Sequence, residues 1–130
     1  MKFNYNDGGR TKHYPKKKLG DCVVRAISIA LEQDYKKTLI ELCDLAIEKG
    51  GMPNSHHIYE IYLGDRGWIK NKPPRDSNGK KIRLKDWEHN RAIVLTTGHL
   101  TCVIDNCIND TFYTGDWCCN SYFTPITNLT

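Results

Sequence analysis

The chain has 130 residues, 39% of them apolar, and a formal net charge of +4. Length and apolar content fit one domain, 1–130, with its own hydrophobic core, and they exclude a globally disordered chain. The lysine-rich segment 1–20 is polar enough to be flexible. No apolar run has the length of a signal peptide or a membrane span, so we expect a cytoplasmic protein without a membrane partner.

Three helices are predicted in the first half of the chain. The segment 21–31 is apolar on nearly every side, which is typical of a buried helix, and Asp21 is its natural N-cap. An amphipathic helix covers about 35–49, ends at Gly50 and is expected to pack on the first. A shorter helix follows over about 55–64.

The second half of the chain is rich in β-forming residues. A loop with turn residues, 71–81, precedes several short β-rich runs, and the pair Asp105-Asn106 fits a tight hairpin turn. The predicted strands cover 92–95, 100–104, 107–113 and 121–123. Helices first and an antiparallel sheet second place the chain in the α+β class.

Cys22 stands at the start of the predicted buried helix. Unpaired backbone N–H groups and the positive end of the helix dipole stabilise a thiolate at such a position. The same N–H groups can hold the oxyanion of an acyl-transfer intermediate. A small buried apolar residue is the alternative interpretation of a helix-start cysteine.

His99 opens the most apolar predicted strand, where an imidazole can face a cleft while the rest of the strand enters the core. If the hairpin turn that follows has two residues, Thr101 lies opposite Asp110. Asp110 then becomes the diagonal neighbour of His99 on the same face of the sheet. A three-residue turn would exchange Asp110 for Asn109, because one extra residue inverts which side chains share a face.

Three stretches carry these residues: Asp-Cys-Val-Val-Arg-Ala at 21–26, Gly-His-Leu-Thr-Cys-Val-Ile-Asp at 98–105 and Ile-Asn-Asp-Thr-Phe at 108–112. In their residues and their order they resemble the short bacterial and phage members of the papain-like cysteine peptidase superfamily. The likeness extends over about 21–123. It implies a papain-like fold, in which a central buried helix begins at the cysteine and packs on a C-terminal antiparallel sheet.

The resemblance also implies thiol-dependent acyl transfer by a catalytic triad. Cys22 would be the nucleophile, His99 its base, and Asp110 the residue that orients the imidazole. The expected reaction is hydrolysis of a peptide or isopeptide bond, without a cofactor. The expected partner is a protein or peptide substrate, met in the host cytoplasm if the protein is phage-encoded.

Further residues are candidates for contact with the substrate. Papain-like enzymes usually carry a Gln a few residues before the cysteine as an oxyanion donor, and no Gln stands at 14–20 here. Lys16, Tyr14 or Asn6 can take that role, or backbone N–H groups can serve alone. Trp117 is expected to line the cleft, with packing in the core as the alternative.

The six cysteines and the basic residues allow other interpretations. A disulfide framework requires export, for which the sequence has no signal, so free thiols are expected. His99 and four cysteines fall within 99–119, but the usual zinc-site cysteine pairs do not occur, so no metal is expected. The lysines form short scattered clusters, which argues against nucleic acid as a partner.

Two alternatives to an enzyme stay open at this point. One is a papain-like scaffold that binds a partner protein and has lost its catalysis. The other is a weakly basic nucleic-acid-binding module, in which the lysines follow a phosphate backbone.

Overall fold

The computed structural model describes residues 1–15 and 19–126, which form an α+β fold. The helices in these ranges are α1 (Arg10–His13), α2 (Cys22–Leu31), α3 (Tyr35–Lys49) and α4 (His56–Gly64). The strands are β1 (Lys2–Tyr5), β2 (Trp68–Asn71), β3 (Arg91–Thr96), β4 (His99–Ile104), β5 (Cys107–Asp110) and β6 (Ser121–Pro125). None of these helices is both long and apolar enough to cross a lipid bilayer.

The strands form a single mixed sheet in the order β1-β5-β4-β3-β6-β2. The sequence predicted an antiparallel sheet, and this is wrong at one edge, where β1 pairs with β5 in parallel. Segment 2–5 alternates polar and aromatic residues, but it has only four residues and belongs to the stretch expected to be flexible, so no strand was predicted there. Residues 2–5 and 10–13 nevertheless form β1 and α1. The edge strand β2 was also not predicted.

Helix α2 lies at the centre of the fold, packed chiefly on β4. Its apolar residues point into a core that the helices share with one face of the sheet, and Ile27 is completely buried there. Because α2 is covered by both α3 and the sheet, it needs apolar side chains around most of its circumference. This explains why the sequence showed no polar face on this helix.

The other face of the sheet carries a second, smaller core. Val94 and Val103 point to this side and are covered by Leu84, from a short 3₁₀ turn at Leu84–Asp86, and by Cys119. Both faces of β3 and β4 are therefore buried, and their sequences read as continuous apolar runs. A sheet that is packed on both sides gives β4 and β5 a fixed position under the start of α2.

A two-residue turn connects β4 and β5. Asp105 and Asn106 both have positive φ, 50° and 60°, as a type I′ hairpin turn requires. Their backbone N–H groups donate to the carbonyl groups of Asn90 and His89, so the turn is also docked against the loop before β3. Ile104 pairs with Cys107, which is the register that the two-residue turn predicts.

We expect the positive φ at Asn106 to restrict which residue types this position tolerates. Asn106→Val should lower the free energy of unfolding by about 1–2 kcal/mol relative to Asn106→Gly, because a β-branched side chain is strained in the left-handed region and glycine is not. Urea unfolding of the two variants measures the difference. Equal stabilities would contradict the turn geometry on which the β4–β5 register depends.

Candidate active site

The start of α2 and the start of β4 meet at the mouth of a small pocket. Cys22 is half-buried at the first position of α2, and His99 is the first residue of β4. Both side chains line a pocket of about 110 Å³, whose walls include Tyr59 of α4 and Leu95 of β3. The two residues are 77 positions apart in sequence, so only the packing of α2 on the sheet brings them together.

Asp110 lies beside His99 on the neighbouring strand. The Nε2 atom of His99 donates a hydrogen bond to Oδ2 of Asp110 over 2.7 Å, and Asp110 is only 3% exposed. Since Nε2 is engaged by the carboxylate, Nδ1 is the ring nitrogen left for the thiol of Cys22. In chemical terms, such an arrangement can serve as a nucleophile, a base and a residue that orients the base.

Asn109 has a separate set of partners, as the two-residue turn predicts. Its Oδ1 accepts a hydrogen bond from Asn4 of β1 over 2.8 Å, and its Nδ2 donates to the carbonyl of Cys107. Neighbouring residues of a strand point to opposite faces, so only one of Asn109 and Asp110 can face His99. The register gives that position to Asp110.

The three groups are electrostatically coupled. Burial raises the pKa of the Cys22 thiol, but hydrogen bonding to His99 and the positive charges of His99 and Arg25 leave it below its ordinary value. Burial lowers the pKa of the His99 imidazole, but Asp110 and Cys22 outweigh this and raise it to about 9. Burial raises the pKa of Asp110, but the hydrogen bonds that the carboxylate accepts and the positive charge of His99 together leave it below its ordinary value. A thiolate and an imidazolium therefore coexist between the lowered pKa of Cys22 and the raised pKa of His99.

Two aromatic side chains cover the outer side of the imidazole. The ring centroids of Phe112 and Trp117 lie 4.9 and 5.7 Å from that of His99, and the two aromatic rings also pack edge to face on each other. The two bonded residues themselves are buried, with His99 9% and Asp110 3% exposed. Trp117 is 40% exposed and, with Thr97 and Cys118, lines a second pocket of about 350 Å³, so it is not a core residue.

Two of the three residues suggested from the sequence as oxyanion donors, Tyr14 and Asn6, lie among the described residues, and neither lines this pocket. Lys16 lies outside the described residues. Tyr14 packs on Tyr35 with ring centroids 6.2 Å apart, and Asn6 lines a different pocket, formed with Ile29 and Ile104. Neither is among the residues that line the pocket of Cys22.

Asn54, in the loop before α4, is the amide that does line the pocket of Cys22. Sequence reasoning missed it, because it precedes α4 by two residues and was indistinguishable from an ordinary helix-start residue.

Asp21 also differs from expectation. It occupies the N-cap position of α2, but its carboxylate makes no hydrogen bond to the backbone of the helix. It turns inward instead and accepts a hydrogen bond from the hydroxyl of Tyr35 over 2.8 Å.

The cysteines other than Cys22 are free thiols, and none of them lines the pocket of Cys22 and His99. Cys102 and Cys119 are completely buried, and burial raises the pKa of each to about 12. Cys118 is exposed on the surface. Within residues 1–15 and 19–126, no group of three or more His, Cys, Asp or Glu side chains is arranged to hold a metal ion.

Comparisons of the chain with protein-family models, with curated proteins and with solved structures gave no match. The chemistry of the pocket is therefore inferred from its own residues. Cys22 and His99 line the pocket, and Asp110 of the neighbouring strand accepts the hydrogen bond from His99.

We expect Cys22 to react with iodoacetamide at pH 6 at least about tenfold faster than Cys118, because only a thiolate is nucleophilic and Cys22 has the lowered pKa. Mass spectrometry of the digested protein after short labelling times gives both rates in one experiment. Cys118 is the internal control, since it is more exposed. In His99→Ala the advantage of Cys22 should be lost. Uniform labelling of the two thiols in the unchanged protein would contradict an activated Cys22.

Proposed function

We propose that this protein is a thiol-dependent hydrolase, specifically a cysteine peptidase or isopeptidase of papain-like type. The main support is the sequence of contacts from Asp110 to His99 to Cys22. Asp110 and His99 are joined by a 2.7 Å hydrogen bond, and His99 and Cys22 line a pocket that a substrate can reach. A buried structural cysteine does not require a charged imidazole beside it, nor an aromatic cover over that imidazole.

The papain-like assignment has support from the position of each group. A central helix begins at the cysteine, a strand of the sheet begins at the histidine, and the adjacent strand carries the aspartate. The parallel edge strand β1 is an addition to the antiparallel sheet that the resemblance implies. It pairs with β5 on the side away from β4, so it leaves the site unchanged and supports the strand that carries Asp110.

In the first half of the reaction, the Cys22 thiolate attacks the carbonyl carbon of the scissile amide, and the carbonyl oxygen becomes an oxyanion. The backbone N–H groups at the start of α2 and the side-chain amide of Asn54 are the candidate donors to that oxygen. Nδ1 of the His99 imidazolium then gives its proton to the amide nitrogen, the C–N bond breaks, and an amine leaves. Cys22 is left as a thioester.

In the second half, neutral His99 takes a proton from water, and the resulting hydroxide attacks the thioester. The C–S bond breaks, the carboxylic acid is released, and the thiolate and imidazolium are restored. Asp110 takes no proton in either half. Its carboxylate holds Nε2 and stabilises the charged ring, which keeps Nδ1 directed at the sulfur.

The pH dependence of kcat/KM should be bell-shaped. Below the lowered pKa of Cys22 the thiolate is protonated and cannot attack, and above about pH 9 the imidazolium has no proton to give. Since Asp110 is one cause of the raised pKa of His99, Asp110→Asn should move the alkaline limb to lower pH. Rates measured from pH 5 to 10 test both limbs. An alkaline limb that stays in place in Asp110→Asn would contradict the assigned role of Asp110.

A small activated ester tests acyl transfer without knowledge of the natural substrate. With p-nitrophenyl acetate, we expect a burst of one nitrophenol per chain and an acetyl group on Cys22 detectable by mass spectrometry. Cys22→Ala should abolish the burst, and Asp110→Asn should slow acylation by a factor on the order of 100 or more. Asn109→Ala is the matched control, because this neighbour points to the other face and should change the rate less than about threefold.

A burst followed by cleavage of mixed peptide libraries would support peptidase activity, and cleavage of ε-linked peptides alone would indicate an isopeptidase. No burst and no acetylated Cys22 would contradict the hydrolase proposal and favour the scaffold that binds a partner protein. A burst that persists in Cys22→Ala would mean that another group carries the acyl transfer.

A further inference from the structure

Arg25 is a buried charged residue one helical turn after Cys22. Only 6% of it is exposed, although it lies on the helix that forms the centre of the core. Burial of a guanidinium is costly unless carboxylates compensate its charge. Arg25 has two such partners, one four residues earlier in the sequence and one 85 residues later.

The two partners are Asp21 and Asp110. Nη1 of Arg25 makes an ion pair with Oδ1 of Asp21, four residues earlier, while Nη2 reaches Oδ1 of Asp110 over 3.4 Å. The other oxygen of Asp110, Oδ2, accepts the bond from His99. The carboxylate that orients the imidazole is thus itself held between two cationic groups, one on each oxygen.

We propose that Arg25 is a positioning residue for the reaction, which fixes the Asp110 carboxylate so that its second oxygen faces His99. This inference rests on the proposed function. A planar guanidinium can bridge two carboxylates in a fixed geometry through its two terminal nitrogens, Nη1 and Nη2, which a flexible ammonium cannot do. Arg25 therefore ties the helix that carries the nucleophile to the strand that carries Asp110, and the separation between Cys22 and His99 depends on that tie.

The charged groups around Arg25 come from four other elements. Arg10, of α1, makes a second ion pair with Asp21 over 3.3 Å, and Tyr35, of α3, donates its hydroxyl to the same carboxylate. His99, of β4, and Asp110, of β5, complete the surroundings. Asp21 therefore keeps two partners when Arg25 is replaced, and Asp110 keeps His99 and the backbone N–H of Thr111. A neutral replacement of Arg25 leaves neither carboxylate without a hydrogen bond.

Arg25→Met and Arg10→Met form a matched pair for the test. Each removes one cation from Asp21, but only Arg25 also contacts Asp110. We expect Arg25→Met to slow alkylation of Cys22 at pH 6 by about tenfold, as for an increase of one unit in the pKa of the thiol, and to leave the rate at pH 10 unchanged. Arg10→Met should keep the pH profile of the unchanged protein. Arg25→Lys restores the charge but not the bridge between the two carboxylates, so it should recover only the part of the rate that depends on charge.

A second measurement does not depend on catalysis. In a Cys22→Ala background at pH 6, we expect the Nε2 proton of His99 to give a slowly exchanging, downfield ¹H NMR signal, because it is bonded to Asp110 beneath two aromatic rings. Adding Arg25→Met should broaden or remove this signal, while adding Arg10→Met should keep it. Thermal unfolding of both variants measures how much stability each one loses. If the two losses are similar, a change in the signal that occurs only with Arg25→Met is not an effect of stability.

The proposal is overturned if Arg25→Met keeps both the pH 6 alkylation rate and the Nε2 signal, or if Arg10→Met impairs them equally. In the latter case the ion pairs would serve only the stability of the fold. If the signal depends on Arg25 but no acyl transfer occurs in the unchanged protein, the positioning role stands and the hydrolase proposal fails. The two proposals can therefore fail separately.

Discussion

The bond between His99 and Asp110 depends on the register of two neighbouring strands. The register is set by the turn at Asp105 and Asn106, whose positive φ angles allow a two-residue hairpin. One residue more or less in the turn would bring Asn109 to the face of His99 and leave the ring without its carboxylate. The geometry of the candidate active site therefore depends on a turn that contributes no side chain to the site.

Burial and pairing act against each other throughout the site. Removal from water disfavours the charged form of Cys22, His99 and Asp110 alike. Each is nevertheless favoured in its charged form, because its neighbours carry the opposite charge and donate or accept hydrogen bonds. Such groups depend strongly on one another, since the loss of one leaves a buried charge unpaired. This mutual dependence is a reason to treat Arg25 as part of the same assembly.

The least polar segments of the chain form the helices and central strands that carry the site, and these elements were predicted well. Helix α3 covers Tyr35–Lys49 as its spacing indicated, and α2, α4 and the central strands lie within a few residues of their predicted bounds. Strong apolar periodicity and turn residues mark such elements locally. The edge strands β1 and β2 were missed, because segments of only four residues carry too short a pattern and become strands only where a neighbouring strand offers its free hydrogen-bonding groups.

The sequence by itself determined the kinds of group available, namely a helix-start cysteine, a strand-start histidine and a hairpin whose parity favours Asp110. Only the tertiary structure decided that Cys22 and His99 share one pocket, that Trp117 covers the imidazole, and that Asn54 rather than Asn6 or Tyr14 lines the pocket. It also turned the Asp21 carboxylate away from the backbone of its helix and toward the hydroxyl of Tyr35 in α3. These features join residues from different elements, and the packing of α2 on the sheet fixes distances that no local pattern encodes.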